Sequence, residues 1–364
     1  MKKIKILIYG MSGGHGGIEK YLYNLARNCD YNKFDLYFLD TQPNGIMYQN
    51  ELVGFGCNIA KLTPSTISVK KCFKELKKML REEKFDYVYI NASTFSRFQF
   101  LVQLAKPRNT RIILHCHGTK LEDSISSMAK ILHYIGKFYF NCTNALKVAC
   151  GVEAGNFLFG KKDFEVFDNG IETDRFLYDD FFRKEIREEI NVKDNEKLVG
   201  NIARISEQKN PLFLIDIFNE LHKIDTKTKL VLVGDGEKRN EVEGRVKAYG
   251  IGEAVILTGM RDDANKFYSA LDAFILPSLY EGFSISMIEA QANGLKCFTS
   301  DTLDLRTDIT GNVKFISLEK SPSEWADIIL NNLERDYDVM NKFPDKYKVE
   351  ESCKKIFKYF EKNL

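Results

Sequence analysis

An acid, a glycine turn and a second acid stand together where an apolar run, Asp272 to Leu276, gives way to a helical pattern: Glu281-Gly282, then Ser284 to Ala290 with Glu289 inside it. A helix start leaves backbone N–H groups unpaired and carries partial positive charge, so the turn before it can receive a phosphate. Glu289 is suited to accept paired hydrogen bonds from vicinal hydroxyls such as those of a ribose, and Glu281 could reach hydroxyls beyond the phosphates. That chemistry is the binding of a nucleotide sugar. Two other readings fit the same residues. Acids are common near helix starts for dipole reasons alone. A hydrolase also pairs carboxylates, but eight helical residues span about 12 Å, wider than the roughly 5 to 9.5 Å such a pair needs.

Further candidates follow other apolar runs. The first run leads into Gly10 and then Gly13-Gly14-His15-Gly16-Gly17, with Glu19 two residues on. Glycines let a backbone approach phosphates closely, and His15 is placed to touch a substrate. A dinucleotide site such as one for NAD competes here, because Asp40 ends the second run where a ribose-binding acid would stand, although the glycines miss the G-x-G-x-x-G register. Arg204 and Lys209 lie five residues apart in a loop before Pro211. The pair could neutralise a diphosphate, Arg as a fork and Lys as a point charge, or be a solvated loop. His115 and His117 flank Cys116, but no further Cys/His cluster completes a ligand set, so no metal is expected.

The elements that must position these groups alternate throughout. Short apolar runs and helix-length amphipathic segments predict parallel α/β architecture. Strands are expected near Ile4–Tyr9, Asp35–Leu39, Tyr87–Asn91, Arg111–His115 and Lys147–Cys150. A second series is expected at Leu198–Ala203, Leu230–Gly234, Ala254–Thr258, Ala273–Leu276 and Lys296–Thr299. With 364 residues, two cores are expected, divided near Asp168-Asn169-Gly170, a turn cluster after Phe164–Phe167. Ligands of open parallel sheets lie outside the strands' carboxyl ends, so two such domains would face a cleft.

Composition is that of a soluble globular chain, 44% hydrophobic with a net charge of +2, which gives no sign of a nucleic-acid partner. The start reads as a first strand and not a signal peptide, and no window approaches the roughly 18 apolar residues of a membrane span. The eight cysteines form no Cys-x-x-Cys pair and read as buried thiols of a reducing cytoplasm. Between Ser68 and Lys84 one stripe holds Val69, Cys72, Phe73, Leu76, Met79 and Leu80, while Lys70, Lys71, Lys74, Lys77, Lys78 and Arg81 dominate elsewhere. The spacing predicts a core-packed helix with a solvated basic face, which could also meet anionic lipid. The aromatic-rich segment Ile131–Phe140 is a second candidate contact for acceptor or membrane. Val349, Cys353, Ile356, Phe357 and Phe360 predict a one-sided last helix.

In this combination the chain resembles the retaining glycosyltransferases of family 4, with the GT-B fold, and within them the bacterial capsule and exopolysaccharide enzymes. The resemblance covers nearly the full length. It rests on the Gly13–Gly17 loop with Glu19, on His117-Gly118, on Asp168-Asn169-Gly170-Ile171, on Arg204 with Lys209, on Gly234-Asp235-Gly236, and on Glu281-Gly282-Phe283 with Glu289-Ala290. It implies two Rossmann-like, doubly wound α/β domains, an acceptor domain over 1–168 and a nucleotide-sugar domain over 169–345; the spacing of the helix over 346–364 fits either a return to the first domain or a plain C-terminal core helix.

The resemblance implies a catalytic set of Glu281, His117, Arg204 and Lys209. Arg204 and Lys209 would meet the donor diphosphate, Glu289 the ribose, and Glu281 the donor sugar hydroxyls. Phe283, Ser284 and Ile285 would present backbone amides. Gly13, Gly14, Gly16 and Gly17 would close over the donor, Gly234 would line its site, and His117 would contact the sugar near the reacting carbon. The reaction would use a UDP-sugar, without cofactor or metal, and transfer a hexosyl or N-acetylhexosaminyl unit. The acceptor would be a lipid-linked or polysaccharide intermediate of capsule, exopolysaccharide or cell-surface glycan, handled in the cytoplasm at the inner face of a membrane.

Two positions depart from the family pattern, Ser284 where glycine is common and Asp168 where proline is. Ser284 narrows the space for a phosphate, and Asp168 weakens a turn signature. A GT-B-like sugar-nucleotide epimerase or phosphorylase and a noncatalytic nucleotide-binding subunit stand as alternatives. The first two need a carboxylate set or a cofactor lysine that the sequence does not display, and the third has little need for Arg204, Lys209, Glu281 and Glu289 together.

Overall fold

The computed structural model describes residues 2–14, 16–121, 125–168, 170–281 and 284–364. His15, Asn169, Gly282 and Phe283, singled out above, lie outside the described residues. The chain divides into two compact units, unit 1 of Met1–Gly170 with Val349–Leu364 and unit 2 of Ile171–Lys348.

Unit 1 holds β1 (Ile4–Tyr9), β2 (Phe34–Asp40), β3 (Asn58–Lys61), β4 (Tyr87–Ala92), β5 (Arg111–Cys116), β6 (Leu146–Ala149) and β7 (Glu165–Val166), in the order β3-β2-β1-β4-β5-β6-β7. Unit 2 holds β8 (Lys197–Ile202), β9 (Thr228–Val233), β10 (Val255–Gly259), β11 (Ala273–Leu276), β12 (Lys296–Ser300) and β13 (Val313–Ile316), in the order β10-β9-β8-β11-β12-β13. Every pairing within the two sheets is parallel. Helices cover both faces of each sheet, which is why the central strands are buried apolar runs rather than alternating ones. Direction of addition reverses between β1 and β4 in unit 1 and between β8 and β11 in unit 2, and ligands of such sheets bind at these reversals.

All ten expected strands are present within about two residues, and both sheets are doubly wound as expected. The three strands that the sequence pattern missed, β3, β7 and β13, sit at sheet edges. Asn58 and Lys61 at the ends of β3 are exposed, β7 is only two residues long, and β13 has a single fully buried residue, Ile316. An edge strand needs no two-sided apolar run, so it leaves a weaker signal.

Two apolar clusters flank each sheet. In unit 1 one cluster joins β1, β2 and β4 to the helix Gly17–Arg27 and to the last helix, Val349–Lys362. The other receives the helices Val69–Glu82, Arg97–Ala105 and Val152–Phe159, together with Phe140. The basic helix is core-packed as predicted, through Cys72, Leu76 and Leu80. Six of the eight cysteines are buried; Cys29 is half-buried and Cys142 exposed.

The last helix is held by packing and by backbone groups. Phe360 is fully buried with its ring 5.4 Å from Tyr87 and 5.3 Å from Tyr89. The Tyr87 hydroxyl donates to the Phe360 carbonyl at 2.9 Å, and Ser352 donates to the Asp168 carbonyl at 2.7 Å. Truncating Phe360 leaves a cavity where three aromatic rings meet. Phe360→Ala is expected to cost unit 1 about 3–5 kcal/mol, read by urea unfolding followed by circular dichroism; a loss below about 1 kcal/mol would place the ring outside the core.

Candidate functional site

Two loops meet beyond the carboxyl ends of β8 and β11. After β8 the chain makes a short turn, Glu207–Lys209, and Asn210 follows at φ +53°, a left-handed conformation that asparagine tolerates. That sharp bend sets Lys209 at the mouth of the sheet just before the helix Pro211–Ile224. There the Lys209 ammonium donates to Glu281 Oε1, and the Ser278 hydroxyl donates to the same oxygen at 3.0 Å. Gln208 Nε2 donates to the Tyr280 carbonyl at 3.0 Å, and Leu279 N–H to the Gln208 carbonyl at 2.9 Å. Side-chain exposures of 18% for Lys209 and 7% for Glu281 withdraw this pair from water, where charges interact more strongly than at a surface.

The strand ends beneath the pair are tied by side chains. Asn201, buried in β8, donates its amide to the Ile275 carbonyl of β11 at 2.7 Å. Thr299 of β12 donates to the Leu276 carbonyl at 2.7 Å, and Ser300 and Thr302 both donate to the Ser278 carbonyl.

The helix Ile285–Ala292 opens one residue after buried Ser284. The Ser284 hydroxyl faces Ser286 at 3.4 Å and does not cap the helix. Glu289 accepts a 2.7 Å hydrogen bond from the hydroxyl of Tyr268, a buried residue of the helix Ala264–Ala270. Burial first, and the Glu289 charge second, push the Tyr268 phenol well above its ordinary value, so it remains a donor that orients Glu289.

Arg204 and Gly234 stand differently. The Arg204 guanidinium is 72% exposed and pairs with Glu237 at 3.1 Å; it does not join the Lys209–Glu281 pair. At Gly234, φ is +139° and a Cβ would come within 2.2 Å of the Ala203 carbonyl, so the space a side chain would need is filled by the β8 loop. Its glycine is therefore required by protein packing.

In unit 1 the loop after β1 is drawn together by Glu19. Its carboxylate is buried and accepts from the Ser12 hydroxyl at 2.6 Å and the Ser12 N–H at 3.1 Å. Gly14 N–H donates to Ser12 Oγ at 3.2 Å, and Met47 N–H to the Ser12 carbonyl at 2.7 Å. A Cβ on Gly16 would meet Glu19 Oε2 at 2.5 Å; Gly13 lies near the Gly45 carbonyl, and Gly17 opens the following helix. Asp40 is 1% exposed and accepts from Gln42 N–H at 2.8 Å beside Lys61 at 3.8 Å, so it is not presented at the surface as the ribose-binding acid of the NAD reading would be.

His117, half-buried after β5, has Nε2 3.0 Å from Asn91 Oδ1. Burial pushes its imidazolium down to about 3, so the ring is neutral at pH 7. With Nε2 donating to Asn91, Nδ1 is the acceptor. His115, fully buried, has its ring centre 4.1 Å from that of His117, tilted by 34°, and joins a chain in which Tyr89 OH meets both His115 Nδ1 and, at 2.8 Å, Tyr21 OH. Burial, then His117, holds His115 well below its ordinary value. Cys116 alternates to the other face and donates its thiol to the Gly118 carbonyl at 3.3 Å. Among the described residues no group of three or more His, Cys, Asp or Glu could hold a metal ion.

Sequence reasoning missed the supports, namely Ser12, Asn91, Ser278, Thr299, Tyr268 and the Tyr21–Tyr89 pair, and weighed His115 only as a metal ligand. A signal existed for some. Asn91, Asn201 and Thr299 are polar residues closing apolar runs, and a buried polar group at a strand's carboxyl end must bond something. Tyr268 and Tyr89 gave none, because an aromatic in an apolar segment reads as core.

The chain is similar to known glycosyltransferases. Residues 182–348, most of unit 2, match the family model described as glycosyl transferases group 1. The putative glycosyltransferase EpsF of Bacillus subtilis is 26% identical over 335 residues, 90% of this chain and 87% of that protein. The Escherichia coli UDP-Gal:alpha-D-GlcNAc-diphosphoundecaprenol alpha-1,3-galactosyltransferase is 26% identical over 250 residues, 65% of this chain and 63% of that protein. Among solved structures, Anabaena HepE in complex with UDP and glucose superposes with a TM-score of 0.78 at 17% identity, over 98% of this chain and 99% of that one.

The depressed His117 has a consequence for stability. An unfolded histidine takes up a proton near pH 6.5, whereas folded His117 does so only near 3. Between those values the unfolded chain binds a proton that the native state refuses. Stability is therefore full above pH 6.5 and falls as pH drops toward 3, by up to about 1.4 kcal/mol per pH unit. Imidazole NMR should show His117 neutral at pH 5; a midpoint near 6.5 would contradict its burial.

Proposed function

We propose that this chain, whose residues 182–348 match the glycosyl transferases group 1 model and whose two doubly wound units share the GT-B fold, is a family 4 enzyme that moves a sugar from a nucleoside diphosphate sugar to an acceptor hydroxyl with retained anomeric configuration. The observation that carries this reading is the Lys209–Glu281 clasp across the β8/β11 reversal, with the start of the helix Ile285–Ala292 close by in the chain. A cation, a carboxylate and a helix start are what a diphosphate joined to a sugar requires.

In this proposal the bond between sugar C1 and the diphosphate oxygen breaks, and its electron pair leaves with the phosphate. The acceptor oxygen bonds C1 on the same face and gives its proton to the departing oxygen. Lys209 and the helix start stabilise the leaving charge, and Arg204, on its exposed loop, adds a second cation. Glu281 takes donor sugar hydroxyls, while Glu289, oriented by Tyr268, takes the ribose. The amides of Ser284 and Ile285 face the phosphates. In unit 1, the Gly13–Gly17 loop and the neutral His117 meet substrate, His117 through the lone pair of Nδ1. No metal or cofactor enters these steps.

The donor is proposed to be a UDP-sugar, since HepE is held with UDP and glucose and the Escherichia coli relative is named for UDP-Gal. That relative's acceptor, a diphosphoundecaprenol-linked sugar, supports a lipid-linked intermediate of a capsule, exopolysaccharide or other surface glycan as acceptor here. Such an acceptor would set the enzyme in the cytoplasm against the inner face of a membrane.

Three measurements test the reading. Melting-temperature shifts with UDP, GDP, ADP and NAD should single out UDP, and a response to NAD alone would overturn it. Lys209→Ala should lower kcat on the order of 10²- to 10³-fold, with folding checked in parallel because the change leaves Glu281 unpaired; an unchanged kcat removes Lys209 from the mechanism. Glu289→Gln should weaken UDP binding by about 1.5–3 kcal/mol in calorimetry, and equal affinity would leave Glu289 only its structural bond to Tyr268.

A further inference from the structure

The helix Ser127–Asn141 of unit 1 has an inner face that is satisfied and an outer face that is not. Inward, His133, Gly136 and Phe140 are buried; a Cβ on Gly136 would come within 2.5 Å of Phe95, and Phe140 stacks on Phe95 at 5.1 Å. Outward, Met128, Ile131, Tyr134, Ile135 and Phe138 are 62%, 53%, 63%, 52% and 77% exposed. At 3.6 residues per turn these side chains occupy one arc of about 120°. Continuous apolar surface of this kind marks a place of contact rather than scattered exposure.

The neighbouring helices extend the surface. The Tyr139 ring lies 5.7 Å from Phe100 of the helix Arg97–Ala105, whose Leu104 is 69% exposed. That helix in turn packs beside Val69–Glu82. All three cover the same face of the sheet, burying side chains in one cluster, so their outer sides look the same way. On the outer side of Val69–Glu82, Lys70, Lys71, Lys74, Lys78 and Arg81 are exposed. Against them stand only Glu75 and Glu82 on that helix, 3.9 Å from Lys71 and Lys78.

We propose that the outer faces of Ser127–Asn141 and Val69–Glu82 together dock this protein on an anionic lipid bilayer, the apolar stripe entering the headgroup boundary and the cationic helix resting on the phosphates. The proposal deepens the reading of a membrane-borne acceptor and rests on it for its purpose. Its argument is charge complementarity. A two-fold contact with a second copy, centred on this surface, would set the lysine-rich helix against its own image, whereas an anionic surface attracts both parts at once. No helix among the described residues is long and apolar enough to cross a membrane, and an in-plane helix needs no such length.

Sedimentation of the full chain with vesicles tests the assignment without donor or acceptor. The chain should bind vesicles of phosphatidylcholine mixed with phosphatidylglycerol, bind pure phosphatidylcholine far less, and release as NaCl rises from about 0.05 to about 0.5 M. Ile131→Ser combined with Phe138→Ser removes two exposed side chains and should weaken partitioning on the order of 100-fold, while UDP affinity in calorimetry stays unchanged. Absence of binding to either vesicle, or equal binding by the double variant, overturns the proposal. So does a concentration-dependent dimer that the double variant abolishes, which would make a second copy the occupant. If vesicle binding fails while UDP still binds, the docking surface falls and the transferase reading stands; the reverse outcome separates them the other way.

Discussion

Parallel pairing of β8 with β11 is the constraint on which the unit 2 site depends. Lys209 and Glu281 are 72 residues apart in sequence, and they meet only because these strands lie side by side. Both ends of the pairing are reinforced. At the amino end Asp272 accepts from Leu198 N–H at 2.7 Å, and it draws in Arg183 at 2.7 Å and Arg187 at 3.3 Å from the helix Asp180–Glu189. At the carboxyl end Asn201 bonds across to Ile275. A nearly buried ion pair contributes little net stability once desolvation is counted, so the Lys209–Glu281 contact is better understood as a means of fixing two loops than as a source of folding energy.

Unit 1 solves the same problem with the same residue type. Its reversal lies between β1 and β4, and Asn91 at the end of β4 turns its amide toward the Tyr9 carbonyl of β1 at 3.5 Å. Asn201 does this across β8 and β11. In each case the asparagine uses a side-chain donor to bridge the two strands that diverge at the reversal, where the sheet opens toward ligand. In unit 1 the bridging residue has a second task. Its Oδ1 faces His117 Nε2, so the bond that closes the sheet also selects the imidazole tautomer. Gly10 is needed for this, because a Cβ there would strike the Asn91 carbonyl at 2.4 Å.

Much of this was legible in the sequence, and what was not has a common cause. Central strands announced themselves because burial on both faces demands unbroken apolar runs such as Leu230–Val233. Edge strands such as Asn58–Lys61 carry no such demand and were missed. Lys209, Glu281 and Glu289 were visible as charged residues in turns or early helix beside strand ends. Their partners were not, because Tyr268 and Ser278 acquire meaning only when segments distant in sequence are brought together. Two of the glycines carry a packing requirement that the sequence did not display: Gly234 accommodates the Ala203 carbonyl, and Gly16 lies against Glu19.

The two units share a topology yet differ in their outer layers, and the difference is informative. In unit 2 large exposed apolar residues such as Phe181, Ile224, Met260 and Tyr337 are spread over separate elements. In unit 1 six of them fall on one helix, Ser127–Asn141. Sheet reversal, strand-end asparagine and glycine turn are imposed by the fold and recur in both halves. Nothing in a doubly wound sheet requires the solvent side of a covering helix to be apolar. A helix that uses Gly136 to pack tightly inward while presenting Ile131, Ile135 and Phe138 outward is apolar on both sides, the pattern of an element enclosed on both sides. One side is the protein's own core, so the composition of the other has to be explained by something outside the chain.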